Sequence, residues 1–225
     1  MNEKGLIDKP EFNNLSKYLS SGKRTEITGD IQKVADGIQG DTEGIILRKI
    51  LLWINQNTSR INNGRDERKF KRSADEILKS GERTGCTDSS TLFVAIARAK
   101  GIPTMQIITF DKSWGEMIEK GENIGTDGHF YVGCFIKDVN GEGRWVLIDS
   151  DKPIKDIRDL DIKKLRLDSR NISRNRYAFA YTRDYSDIEI NGLKIDSISS
   201  MAKVQKVAYN MCDKEDFKEK DDKVI

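Results

Sequence analysis

The sequence is short of histidine and cysteine, the residues that bind zinc and other transition metals. It contains one histidine, His129, and three cysteines, Cys86, Cys134 and Cys212. Three cysteines cannot all pair with one another, and these three are not spaced as metal ligands. One histidine is too few for the usual zinc sites. We therefore expect no metal and no cofactor.

An excess of charge of one sign is also missing. The chain carries 39 Lys and Arg against 37 Asp and Glu, which gives a net charge of +2. This balance offers no electrostatic reason to expect a nucleic-acid partner. Because charged residues make up 34% of the chain, the sequence predicts a densely charged, soluble surface.

The chain also lacks a long hydrophobic run. Its most apolar stretch, residues 45–54, is interrupted by Arg48 and Lys49, so we expect no segment to span a membrane. The first residues, MNEKGLIDKPEF, lack the apolar segment of a secretory signal peptide. We therefore expect a cytoplasmic protein with reduced thiols and no membrane partner.

The hydrophobic period of the chain changes near Pro103. Before it, apolar residues recur at helical spacing. The helices predicted by this spacing cover 28–38, a segment capped at 41–42 with an apolar stripe through 54, 66–78 and 86–100. After it, short runs rich in aromatic and branched residues predict strands at MQIITF, HFYVGCFI, RWVLID and YAFAYT. A last helix is expected over about 199–210.

This order of elements indicates the fold class. Helices first and strands later are typical of an α+β domain with an antiparallel sheet. At 225 residues the chain is most simply one domain, residues 1–225. Within it we expect a helical N-terminal extension over 1–40 and a frayed, charged tail over 213–225.

Cys86 lies at the predicted start of a helix. The partial positive charge at a helix N-terminus stabilises a thiolate, and the first-turn amides can donate to an oxyanion. The alternative is that Cys86 is a small buried apolar residue. Its polar neighbours in TGCTDSS argue against that alternative. Cys134, inside FYVGCFI, fits a structural thiol better, and Cys212, beside the charged tail, an exposed one.

A thiol, an imidazole and a carboxylate follow one another along the chain. His129 lies 43 residues after Cys86 and 20 residues before Asp149. These are the groups of nucleophilic acyl chemistry, in which the imidazole moves the proton and the carboxylate orients the imidazole. A lone histidine is more often a packed or surface residue, so its surroundings decide between the two interpretations.

His129 and Asp149 stand at opposite ends of a predicted β-hairpin. Both numbers are odd, so pairs with an even sum place them on one face. We predict that His129 pairs with Asp149, on the face toward the Cys86 helix, with a loop centred on Val139. The further pairs predicted by this register are Tyr131 with Leu147 and Gly133 with Trp145. A tight Asn140-Gly141 turn would instead send the two side chains to opposite faces.

Two other carboxylates compete with Asp149. Asp151 has the same parity but lies just before Pro153, which favours a turn residue. Asp88 is nearest to Cys86 in sequence and is typical of a first-turn helix carboxylate. We therefore expect Asp149 to be the orienting carboxylate.

The stretch from Cys86 to Pro103 resembles the core motif of the transglutaminase-like superfamily of papain-like thiol enzymes. That motif is a Cys opening a helix, then Leu, Arg, Gly-Ile-Pro and a strand; the matching residues here are Cys86, Leu92, Arg98 and Gly101-Ile102-Pro103. GHFYV and WVLID resemble the family's His strand and its Trp-to-Asp strand. The resemblance covers roughly residues 40–151.

The resemblance implies a papain-like core, in which a helix presents Cys86 against an antiparallel sheet that presents His129 and Asp149. It also implies a catalytic Cys-His-Asp triad and a peptide or protein substrate. The chain departs from the family pattern at Gly133, where an acidic residue is common, and at Ser150, where Pro is common. We expect these departures to affect substrate preference.

The leading hypothesis is therefore a cysteine protease or amidase acting through a thioester. Hydrolysis is favoured over transfer to an amine because water is always present and the sequence contains no EF-hand calcium loop. The alternatives are a protein-glutamine transamidase and a non-catalytic binding or scaffolding module that retains the triad by descent. The sequence predicts no oligomeric state.

Overall fold

The computed structural model describes residues 11–61, 66–120, 128–138, 140–167, 169–173 and 175–212. The predicted tail, 213–225, and the predicted loop centre, Val139, lie outside these residues. No helix in the described ranges is long and apolar enough to cross a membrane.

Seven α-helices and ten strands form within the described residues. The helices are α1 (Leu15–Leu19), α2 (Gly29–Gly37), α3 (Glu43–Asn57), α4 (Ala74–Ser80), α5 (Cys86–Ala99), α6 (Lys112–Glu119) and α7 (Ile198–Met211). The strands are β1 (Ser59–Arg60), β2 (Glu82–Arg83), β3 (Thr104–Asp111), β4 (Gly128–Lys137), β5 (Gly143–Ile148), β6 (Lys163–Lys164), β7 (Asn171–Ser173), β8 (Arg176–Thr182), β9 (Glu189–Ile190) and β10 (Leu193–Lys194). Two short 3-10 helices cover Ile157–Asp159 and Tyr185–Asp187.

Side-chain caps determine where the early helices begin. Thr28 and Thr42 accept backbone N–H groups from the first turns of α2 and α3, as expected of threonine at these positions. The predicted helix over 66–78 is wrong in its first half. Asp66 accepts the Arg68 N–H and Phe70 adopts a positive φ of 66°, so turns replace the helix until Ser73 caps α4.

One six-stranded antiparallel sheet, in the order β6-β5-β4-β3-β8-β7, forms the centre of the fold. The four long strands were predicted from their apolar runs, and α5 was predicted from its helical period. Residues 87–98 of α5 are all buried, so α5 is enclosed by the sheet and the other helices. The expected α+β class with an antiparallel sheet is confirmed.

Helix α5 covers the face of β4 opposite to the predicted one, which was the face that carries His129. Val132, Cys134 and Ile136 belong to the core formed with α5 and α3. Tyr131 and Phe135 pack on the other face, with Trp145 and Leu147, beneath the α1 residue Tyr18. Sequence parity groups side chains by face, but it carries no information on which face the helix covers.

Candidate active site

The first residue of α5 is Cys86, and the residue before it sets the entry into the helix. Gly85 has a φ of +136°, a backbone conformation that only glycine adopts readily. Gly85 also offers no side chain to cap the helix. No N-cap side chain therefore occupies the first-turn amides of α5, and the helix dipole favours negative charge at this end.

The Cys86 sulfur reaches the edge of β4 where β5 has already ended. The last β5 pair is Ile148 with Val132, so the backbone before Val132 is free of β5. The Phe130 backbone N–H and the His129 imidazole lie on this side of β4, and both lower the pKa of the Cys86 thiol. This edge position explains how Cys86, on the helix that covers one face, meets His129, whose side chain lies with Tyr131 on the other.

His129 and Asp149 meet across strands, although not in the predicted register. His129 Nε2 lies 2.8 Å from Asp149 Oδ1. The observed pairs Gly133 with Leu147 and Phe135 with Trp145 have the predicted parity but are shifted by one pair of residues from the predicted ladder. Asp149 thus lies just beyond the end of β5, diagonal to His129, within reach of a long side chain. The prediction of direct His129–Asp149 pairing is wrong, because the hairpin is centred on residue 140 and not on residue 139, which moves the partner of each residue by two.

The pKa values of the three groups shift in the directions that favour a thiolate, an imidazolium and a carboxylate. Burial raises the pKa of Cys86, but the hydrogen bond and charge of His129 outweigh burial and lower it below its ordinary value. Burial opposes protonation of His129 as well, but Asp149 and the Cys86 sulfur raise its pKa. Burial raises the pKa of Asp149 too, but the hydrogen bond from His129 leaves it lowered. Because Nε2 of His129 faces Asp149, the other ring nitrogen, Nδ1, is the one that can exchange a proton with the Cys86 sulfur.

The two competing carboxylates have other partners. Asp88 is buried and accepts hydrogen bonds from Arg72 and from Thr84, so it stabilises the entry to α5. Asp151 is also buried, and its side chain accepts the Ser89 hydroxyl at 2.7 Å. Neither approaches His129 as Asp149 does.

The other thiols lie in apolar surroundings. Cys134 is fully buried, and burial raises its pKa to about 12. Cys212 is buried where α7 ends, so the expectation that it is exposed is wrong. It packs into the apolar cluster that includes Tyr209 and Met201. This burial was not predicted because the residues that follow Cys212 in the sequence are charged. Among the described residues no cluster of three or more His, Cys, Asp or Glu side chains could hold a metal ion.

Sequence reasoning did not find the polar residues behind Asp149. Arg60 and Arg83 pair with each other in register across β1 and β2, and both reach Asp151. Two-residue strands leave no hydrophobic period to detect. The one available signal was the odd parity of Asp151, which places it on the side of Asp149.

Comparison with known proteins adds family and fold to this geometry. A family model described as the transglutaminase-like superfamily matches residues 32–150, just over half of the chain. No curated protein sequence matches the chain.

Two solved structures are similar to the chain to different degrees. A candidate cysteine protease from Cytophaga hutchinsonii is similar with a TM-score of 0.51 at 17% sequence identity, over 78% of this chain. This chain spans about half of that protein, 49% of its length. Legionella pneumophila LapG is similar with a TM-score of 0.40 at 15% identity, over 81% of this chain and 96% of LapG. The likeness to the Cytophaga protein shows a papain/transglutaminase-like fold.

Proposed function

Since the chain belongs to the transglutaminase-like superfamily, we propose that it is a cysteine protease or amidase that cleaves peptide or amide bonds through a thioester. The observation that carries the proposal is the grouping of Cys86, His129 and Asp149 at the N-terminus of α5: His129 Nε2 lies 2.8 Å from Asp149 Oδ1, and His129 lowers the pKa of the Cys86 thiol. Catalytic nucleophiles require such an adjacent base and an orienting group for that base.

In the proposed first step, the Cys86 thiolate attacks the carbonyl carbon of the substrate. The backbone N–H of Cys86, at the helix N-terminus, donates to the oxyanion that forms. His129 then gives its Nδ1 proton to the leaving nitrogen as the C–N bond breaks, which leaves a thioester and a neutral imidazole.

In the second step, His129 takes a proton from water as the water oxygen attacks the thioester carbonyl. The C–S bond then breaks, the carboxylic acid product leaves, and the thiolate–imidazolium pair returns. Asp149 accepts a hydrogen bond from Nε2 throughout, which stabilises the imidazolium and holds the ring toward the sulfur.

The exposure of the site favours water as the acceptor. The side chains of His129 and Asp149 are 21% and 37% exposed, and the Cys86 residue is half-buried. A thioester formed on Cys86 would therefore lie within reach of solvent. Transfer to an amine would need a second binding site that holds the amine against competing water.

The test offers denatured casein to the purified protein, with and without a fluorescent primary amine. Hydrolysis predicts new α-amino groups, formed by the parent protein and absent with Cys86→Ala, and no incorporation of the amine. Incorporation that depends on Cys86 would instead identify a transamidase. A Cys86 thiol that shows no enhanced alkylation at neutral pH, with neither product formed, would identify a non-catalytic module.

A further inference from the structure

Asp149 lies in a turn that also contains a second carboxylate residue, Asp151. The Asp149 carbonyl accepts the Lys152 N–H, and Asp149 Oδ1 accepts the Asp151 backbone N–H at 3.1 Å. The oxygen that faces His129 is therefore the same oxygen that closes this turn. An Asp side chain that accepts the N–H two residues on is a common local lock on a turn.

The Asp151 side chain continues this connection into α5. Its Oδ1 accepts the hydroxyl of Ser89 at 2.7 Å. Ser89 is three residues after Cys86, in the first turn of the same helix, and neighbours at this spacing lie on one side of a helix. Cys86 and Asp149 are thus joined twice, once through His129 and once through Ser89 and Asp151.

Two arginines balance the charge of this connection. Asp151 is 7% exposed and Arg83 is 4% exposed, and a buried carboxylate persists in charged form only with partners. Arg60 lies 3.0 Å from Asp151 Oδ2, and Arg83 lies 3.7 Å from Oδ1. Arg83 also donates to the Ser89 hydroxyl at 2.9 Å, so one buried guanidinium orients both members of the Ser89–Asp151 bond.

We propose that Asp151 is a positioning residue, which holds Asp149 at a set distance from Cys86 by fastening the Asp149 turn to the first turn of α5 through Ser89. The proposal rests on the proposed function, since it assigns Asp149 the role of orienting His129. This role also explains the β1–β2 pair, in which each strand is only two residues long. The pair places Arg60 and Arg83 side by side against Asp151.

Ser89→Ala tests this role with Ser90→Ala as the matched control. Ser90 is equally buried in the same helical turn, but its hydroxyl donates to the Thr87 carbonyl and accepts from Gln106. Because small misplacements of catalytic groups are costly, we expect Ser89→Ala to lower kcat by about tenfold with KM nearly unchanged. Ser90→Ala should keep kcat within about twofold of the parent.

The second measurement is the pH titration of the His129 ring by NMR, which is unambiguous because the chain has one histidine. In Ser89→Ala the released Asp149 should stabilise the imidazolium less, so the pKa of His129 should fall relative to the parent. Arg60→Ala, which changes a half-exposed side chain, should shift both readouts in the same direction by a smaller amount and decides the matter if Ser89→Ala does not fold.

Parent-like kcat and His129 titration in Ser89→Ala would overturn the positioning role, as would equal losses in Ser89→Ala and Ser90→Ala. The proposed function fails differently. If Cys86→Ala leaves the pKa of His129 unchanged, no thiolate–imidazolium pair exists, whereas failure in Ser89→Ala alone removes only the role of Asp151.

Discussion

Cys86 and Cys134 lie beside the same helix and the same strand, yet their thiols have opposite properties. Cys86 opens α5, and the backbone N–H of Phe130 in β4 helps to lower the pKa of its thiol. Cys134 lies within β4, under the body of α5 in the main core. The pKa of Cys86 is lowered although burial acts to raise it, while burial raises that of Cys134 to about 12.

The difference shows that burial alone does not decide thiol chemistry. Burial acts to raise the pKa of both thiols. Cys86 has in addition an imidazole, a backbone donor and the positive end of a helix, all of which stabilise the thiolate. Cys134 has the Thr104 hydroxyl at 3.7 Å, which cannot offset an apolar environment.

The largest expected contrast between the two thiols is in activity. We expect Cys86→Ala to lower kcat/KM by on the order of 10⁴ or more, since the nucleophile is lost. Cys134→Ala should stay within about threefold of the parent because that thiol contacts no proposed catalytic group. Peptide hydrolysis measured on both variants checks this. A loss with Cys134→Ala alone would show that the wrong thiol was assigned.

His129→Ala and Asp149→Ala sharpen the contrast by removing the partners that only Cys86 has. His129→Ala should approach the loss of Cys86→Ala, since no base remains. Asp149→Ala should be milder by very roughly 10- to 100-fold, because the carboxylate orients the base and moves no proton itself. The kcat/KM values, measured at several pH values, rank the three variants. Equal losses in all three would mean that Asp149 does more than orient His129.

Alkylation by iodoacetamide compares the thiols without any substrate. A lowered pKa means that more of Cys86 is thiolate at a given pH than of an ordinary thiol, and the raised pKa of His129 keeps the imidazolium in place as the pH rises through neutrality. We therefore expect Cys86 to react at pH 6.5 to 7 at least roughly 100-fold faster than Cys134. Mass spectrometry of the labelled peptides gives both rates, and similar rates would contradict the difference in environment.

The smallest expected effect is on stability, and its order is reversed. Cys134→Ala removes a fully buried sulfur from the core and should cost about 1 kcal/mol in the free energy of unfolding. Cys86→Ala changes a half-buried residue at the helix start and should cost less, within about 0.5 kcal/mol. Urea unfolding of both variants is the measurement. A greater cost for Cys86→Ala would mean that the thiolate pair contributes substantially to folding.

Much of this arrangement was predictable from local patterns. The helical period after Cys86 and the Gly-Ile-Pro that follows it predict α5 within one residue of its observed end. The apolar runs predict β3, β4, β5 and β8, and parity predicts that His129 and Asp149 share a face. These features depend on residues that are close together in the sequence, so local sequence patterns are enough to predict them.

Other features depended on contacts that no local pattern records. α6 and the short strands β6, β7, β9 and β10 were not predicted, because segments of two to eight residues are too short to establish a period in the sequence. The helix at 66–78 was overpredicted because the side chain of Asp66 competes for the backbone. The hairpin register was off by two because the position of the turn depends on turn geometry and not on the alternation of side chains.

The sequence by itself determined which chemical groups are available. These are one imidazole, a thiol at a helix start, and later carboxylates whose parity places them on the same strand face as the imidazole. Tertiary structure decided which of them meet. The edge of β4 left free beyond Ile148 admits the Cys86 sulfur, and the Asx turn at Asp149 aims one carboxylate at His129 while Ser89 and two arginines engage Asp151. Both outcomes depend on where β5 ends relative to β4 and α5. That position is set by packing between residues that are far apart in the chain.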